Sequence, residues 1–165
     1  MREPGRTADL LARLQQEAVA DPALVHLGVT LVSADPTGVT VRLPVRAGMT
    51  NALGIVHGGY AFTLADCAFA YACIASGRRS VTHHADLTYL SAVTGSAHLD
   101  ATGTLRHAYG RNTIVDVEVR DDAGSIVAHG RIHGRSVSPP SPRHQAKEKH
   151  MVTPQTARQP VGGER

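Results

Sequence analysis

Residues 51–76 read NALGIVHGGYAFTLADCAFAYACIAS, and the reading of that stretch decides the fold. Its second half, Tyr60 to Ala75, predicts a helix that is apolar on nearly every side. Such a helix is expected to be buried all round, as the core of a domain. Asp66 is the one carboxylate in it, and an ionised carboxylate is costly to bury without a partner. It has either a structural partner or a chemical task, and composition alone does not choose. An apolar setting would favour the protonated form and so suit a general base. His57-Gly58-Gly59 precedes the helix. Glycine at a helix start lets another molecule approach the backbone, and the first N–H groups have no intrahelical acceptor. That combination suits an anion or a developing oxyanion, although Gly-Gly is also a common turn pair.

Outward from this helix the chain reads as strands. On the N-terminal side, Thr7–Val19 carries Leu10, Leu11, Leu14 and Ala18 at helical spacing, with Thr7 as candidate cap and Asp21-Pro22 as the stop. Leu27–Ser33 and Gly38–Val45 read as a hairpin across Asp35-Pro36-Thr37-Gly38. On the C-terminal side, four strands are expected at Ser80–Leu90, Ala97–Ala108, Arg111–Arg120 and Ser125–Val137. Val115, Val117 and Val119 alternate there with Asp116 and Glu118, the pattern of a half-buried strand. Tyr109-Gly110 and Asp121-Asp122-Ala123-Gly124 make the turns. The expected class is α+β, with antiparallel strands wrapping one hydrophobic helix. One domain over residues 1–137 and a disordered tail over 138–165 complete the outline.

Charge excludes one class of partner. The net charge is +3, but residues 1–137 hold 12 Arg, no Lys and 12 acidic residues, which cancel. The excess sits in residues 138–165, with five basic residues against two acidic. A nucleic-acid face would need clustered positive charge on the domain. The longest apolar run, about sixteen residues, is short for a membrane span and contains Asp66. No signal segment is read at the start of the chain, so no membrane association and a cytoplasmic location are expected. Cys67 and Cys73 lie on the same helix, cannot bridge each other, and read as small hydrophobes.

Spacing makes the site more specific. Gly58 and Asp66 are eight residues apart, or about 12 Å along a helix axis at 1.5 Å per residue. They cannot both touch one carbonyl carbon from the same chain. If both serve one reaction, two such helices must run antiparallel across a two-fold axis, and each site is shared between subunits.

The set Asn51-x2-Gly54-x2-His57-Gly58-Gly59-x2-Phe62-x-Leu64-Ala65-Asp66-x-Ala68-Phe69-Ala70-Tyr71-Ala72-Cys73 resembles the PaaI-type hotdog-fold acyl-CoA thioesterases. The likeness extends through Tyr89-Leu90, Gly110-Arg111 and Val127-Ala128…Gly130-Arg131, covering about residues 27–137. It implies a hotdog fold, a sheet of five to six strands around one long central helix. It also implies that Asp66 attacks the thioester or activates water, and that the Gly58 N–H of the partner subunit polarises the carbonyl. Asn51 would then hold the carbonyl or the water, and Thr82 would supply an assisting hydroxyl. A homodimer, assembling further into a tetramer, is expected. No cofactor is implied, because CoA is part of the substrate. The chain departs from the family at Ile74-Ala75, where Asn-Ser is usual, and at Ser91-Ala92-Val93, where a Pro is frequent.

Substrate contacts are expected from His57, Gly59, Phe62 and Arg111, the last as a guanidinium for CoA phosphates. Phe62 and Phe69 would line an apolar pocket suited to an aryl-acetyl group such as hydroxyphenylacetyl. His57 would either act chemically, orient the Asn51 loop or touch substrate. The ten histidines raise a metal site, but His83 and His84, adjacent in a strand, are expected to point to opposite faces. No Cys/His spacing matches zinc, and no metal is expected. Two alternatives stand beside hydrolysis. One is a hydratase or dehydratase of the same fold, which would need an acid/base pair that no Asp-x4-His provides here. The other is a non-catalytic acyl-CoA-binding module.

Overall fold

The computed structural model describes residues 4–137, and the tail expected to be disordered, 138–165, lies outside them. Two N-terminal helices, α1 (Pro4–Ala18) and α2 (Pro22–Leu27), lead into a hairpin of β1 (Thr30–Asp35) and β2 (Gly38–Pro44). A 3-10 turn (Ala47–Met49) and a loop bring the chain to α3 (Gly58–Ala75). Four strands follow: β3 (Ser80–Tyr89), β4 (His98–Tyr109), β5 (Asn112–Asp121) and β6 (Ile126–Ser136). They join the hairpin in one six-stranded antiparallel sheet, ordered β1-β2-β4-β5-β6-β3.

The sheet curls around α3. Ala61, Leu64, Ala65, Ala68, Phe69, Tyr71, Ala72 and Cys73 are buried on the helix, facing Val39, Val41, Leu99, Ala101, Val115, Val117 and Val119 of the strands. Alanines let the helix sit low on the sheet, and glycine completes the fit. A Cβ at Gly103 of β4 would stand 2.6 Å from the Ala68 carbonyl oxygen. At Gly134 of β6 it would run into the Phe69 ring. Helix and sheet therefore meet where β4 and β6 carry no side chain. The solvent side of the sheet is polar, with Arg42 forked onto Asp100 at 2.7 Å for both bonds. Asp116 takes Arg106 and Arg131, also at 2.7 Å each. Those guanidinium bonds, Arg131's foremost, hold its carboxyl below the usual carboxylate range.

The hairpins and the Val115/Val117/Val119 alternation stand as expected, but three expectations need correction. Helix α1 starts at Pro4, so Thr7 lies within it rather than capping it. Asp21-Pro22 opens a helix as well as ending one. The Asp21 side chain accepts from the N–H groups of Ala23 and Leu24, Pro22 takes the first turn, and Gly28 closes it at φ 75°. The expected strand at Leu27–Ser33 accordingly begins three residues later, at Thr30, and runs to Asp35. Finally, α3 is not enclosed on every side. By length and composition it is apolar enough to cross a membrane, and most of its apolar face is covered by sheet. Phe62, Thr63, Asp66, Cys67, Ala70 and Ile74 stay partly or fully open. They form one stripe, flanked by β3, whose residues are mostly exposed at the edge of the sheet.

Candidate active site

Two groups of candidate site residues lie at different places along α3. The first surrounds its N-terminus. Asn51 opens a tight loop in which its Oδ1 accepts from the N–H groups of Leu53 (2.9 Å) and Ile55 (3.2 Å). Gly54 closes the loop at φ 72°, donating to the Asn51 carbonyl at 3.0 Å. The Asn-x2-Gly spacing is thus a turn with a physical cause. Because the Asn51 oxygen is committed to the backbone, the group left facing outward is the Nδ2 amide, a donor and not an acceptor.

His57 is the N-cap of α3. Its Nδ1 accepts from Gly59 N–H at 3.0 Å, while Tyr60 N–H donates to the His57 carbonyl at 2.9 Å. The Gly59 N–H is therefore spent. Among the described residues the Gly58 N–H donates to nothing. Gly58 and Asn51 line one cavity of about 400 Å³, whose walls are otherwise mainly aliphatic: Ile55, Val56, Leu90, Val93, Leu99 and Val127, with Tyr89 at its edge. Burial next to two free donors is what an acyl carbonyl would need.

The second group lies midway along α3. Asp66 is half-buried on the open stripe, and its Oδ1 accepts from the Thr82 hydroxyl of β3 at 2.5 Å. Neither residue lines the cavity that holds Asn51 and Gly58. Neighbouring Cys67 is no rival nucleophile, because burial pushes its thiol up to about 12, with the Asp66 charge adding to the effect. Burial likewise lifts Cys73 to about 11. Neither is a thiolate near neutral pH.

Of the expected substrate contacts, His57, Gly59 and Phe62 lie at or near the helix N-terminus, but their surroundings differ from expectation. Phe69 is core, 1 % exposed beneath Gly134. Phe62 is 40 % exposed on the open stripe. Neither lines the cavity, because Phe69 is buried against the sheet and Phe62 is open to solvent. Arg111 stands apart, its Nε and Nη2 donating to the Ser136 carbonyl at 3.4 and 3.0 Å.

His83 and His84 do not point to opposite faces. A bulge between Thr82 and His84 adds a residue to β3, and both rings reach His133, at centroid distances of 6.3 and 5.5 Å. Burial, then His84, His83 and Arg131, hold His133 below the ordinary imidazole range. Among the described residues no group of three or more His, Cys, Asp or Glu is arranged to hold a metal ion. Tyr89 is the site residue that the sequence reading passed over. Its hydroxyl donates to the Gly58 carbonyl at 2.9 Å, and the aromatic residue at the end of a strand was the available signal.

Comparison with known proteins agrees with this geometry. The family described as "Domain of unknown function (DUF4442)" matches residues 16–135. The chain is 33% identical over 115 residues to the acyl-coenzyme A thioesterase PaaI of Escherichia coli K12, covering 68% of this chain and 82% of that protein. It superposes on the solved E. coli PaaI protein, from the phenylacetic acid degradation operon, with a TM-score of 0.70 and 28% identity, covering 78% of this chain and 94% of that one. A Streptococcus mutans UA159 protein solved with acetyl-CoA bound matches with a TM-score of 0.63 and 27% identity, covering 68% and 91%. With the loop around Asn51, the glycine-opened helix and the helical Asp66 in place on a six-stranded sheet around one helix, the chain belongs to the PaaI-type family of hotdog-fold acyl-CoA thioesterases.

Proposed function

We propose that this protein hydrolyses acyl-CoA thioesters to the free acid and CoA, at a site shared by two copies of the chain. The observation that carries the reading is the separation of the half-sites. Asn51 and Gly58 border the cavity, while Asp66 sits elsewhere, on the open stripe of α3, with Thr82 beside it on β3. A second copy, its α3 antiparallel to the first, brings one chain's Asp66 to the other's Gly58. The long exposed edge β3 beside that stripe is a ready surface for such pairing.

In this site the acyl group enters the aliphatic cavity, and its thioester oxygen accepts from Gly58 N–H and Asn51 Nδ2. Asp66 of the other subunit, oriented by Thr82, takes a proton from water. The resulting hydroxide adds to the carbonyl carbon, and the negative charge gathers on the oxygen facing the two donors. Collapse breaks the C–S bond, the CoA sulfur leaves with the proton, and the acid is released. Attack by the carboxylate itself, through an anhydride that water then opens, uses the same atoms. The proposed substrate range includes aryl-acetyl thioesters such as hydroxyphenylacetyl-CoA, and the proposal further includes a role in phenylacetate breakdown, a cytoplasmic location, no cofactor and a dimer of dimers. The domain would occupy residues 1–137.

The test is thiol release from a panel of acyl-CoAs by wild type and Asp66→Ala. Hydrolysis by wild type with loss in Asp66→Ala is expected. Wild type inert on every member would leave a non-catalytic binder, and hydration of an enoyl-CoA without thiol release would indicate the dehydratase chemistry. Full turnover by Asp66→Ala would remove the carboxylate from the mechanism.

A further inference from the structure

We propose that His57 and Tyr89 are positioning residues for the Gly58 N–H, clamping the Gly58–Gly59 peptide by its two polar ends. The inference rests on the proposed hydrolysis and assigns a task to two side chains that need not touch the reacting atoms. The Gly58 carbonyl and the Gly59 N–H belong to one planar peptide unit. Tyr89 Oη donates to that carbonyl at 2.9 Å, and His57 Nδ1 accepts from that N–H at 3.0 Å. The preceding unit is held as well, because Tyr60 N–H donates to the His57 carbonyl at 2.9 Å. In a trans peptide the Gly58 N–H points opposite to that carbonyl. Three hydrogen bonds thus fix the two peptide planes on either side of the Gly58 Cα.

Gly58 needs such restraint. Glycine has the widest backbone freedom of any residue, and an oxyanion donor is effective only when its direction is set before reaction. Glycine also suits the clamp, since a Cβ at Gly58 would stand 3.1 Å from the Tyr89 ring and would push it aside by a few tenths of an ångström. By taking up Gly59 N–H, His57 further leaves Gly58 as the free donor of the pair. An accepting Nδ1 places the proton of the neutral ring on Nε2. In this role His57 acts as an N-cap, a task that Asn performs as well.

The experiment measures kcat and KM for the acyl-CoA that wild type hydrolyses best, in Tyr89→Phe, His57→Ala and His57→Asn, with amide hydrogen exchange at Gly59 in each. Tyr89→Phe is expected to lower kcat about tenfold with KM within about twofold, less than the 10²–10³ that follows outright loss of a donor. His57→Ala should lower kcat at least as much and speed Gly59 exchange. His57→Asn should restore most of both. Unchanged kcat in Tyr89→Phe and His57→Ala would overturn the proposal, as would an effect on KM alone, which marks a substrate contact. His57→Asn as impaired as His57→Ala would make the imidazole a chemical participant and overturn the cap. A wild type inert on all acyl-CoAs would instead remove the hydrolase reading, and Gly59 exchange would then decide the clamp: no change in His57→Ala overturns it.

Discussion

The Thr82 hydroxyl donates to Asp66 Oδ1 at 2.5 Å, tying edge strand β3 to the middle of α3. The bond occupies one carboxylate oxygen and leaves Oδ2 to face a substrate or water. Thr82→Val should lower kcat about tenfold, the scale of one hydrogen bond of about 1.5 kcal/mol to a charged group, and Thr82→Ser should retain activity. In an Asp66→Asn background, Thr82→Val should add little, because the two residues act as one unit. Steady-state kinetics on the four variants checks this.

Asn51 separates structure from chemistry. Asn51→Asp keeps the oxygen that holds the 51–55 loop but replaces the outward donor with an acceptor. Its melting temperature should stay close to wild type while kcat falls about 10²-fold, the scale of a lost oxyanion donor. Asn51→Ala should lose both the turn and the donor, and so fall in stability too.

The helix lies on β4 at Gly103, whose added Cβ would meet the Ala68 carbonyl carbon and oxygen. Gly103→Ala should destabilise the domain by about 1–3 kcal/mol, the usual cost of overpacking a core. Gly48→Ala, with nothing within 4 Å of its new methyl, should leave the urea midpoint nearly unchanged.

His133 gives the fold an acid-sensitive point. Its folded pKa lies below the ordinary 6.5, through burial first and then His84, His83 and Arg131. The unfolded chain therefore takes up this proton at a higher pH than the folded chain. The stability His133 contributes is present above about 6.5 and is lost as pH falls from there through the depressed folded value. Asp86 and Asp116 pair with Arg131 in register on the neighbouring strands. On acidification from pH 7.5 to 5.5, wild type should lose melting temperature more steeply than His133→Gln.

Much of the fold is legible in the sequence. The Val115/Val117/Val119 alternation and the turn residues placed β5 and its neighbours, Gly58 and Asp66 stood out by residue type and spacing, and Asn51 entered through the family resemblance. Features set by tertiary contact were harder to read. Asp21-Pro22 and Gly28 carried start and stop signals for a six-residue helix that a strand reading absorbed. The bulge at Thr82/His84 depends on how β3 meets β6, so local alternation misplaced His83 and His84. The open stripe of α3 is invisible to hydropathy, because apolar residues left uncovered on a helix have the same composition as those buried in a core. The role of Tyr89 depends on its position across from Gly58, 31 residues away.

The central claim is that each site takes Asp66 from one subunit and Gly58 from the other. Mixing Asp66→Ala subunits with Gly58→Pro subunits, which lack the donating N–H, tests it directly. With free exchange at equal amounts, half of the dimers are mixed and each holds one intact site, so about a quarter of wild-type activity should return. No recovery, with subunit exchange demonstrated, would contradict a shared site and place the whole reaction within one chain.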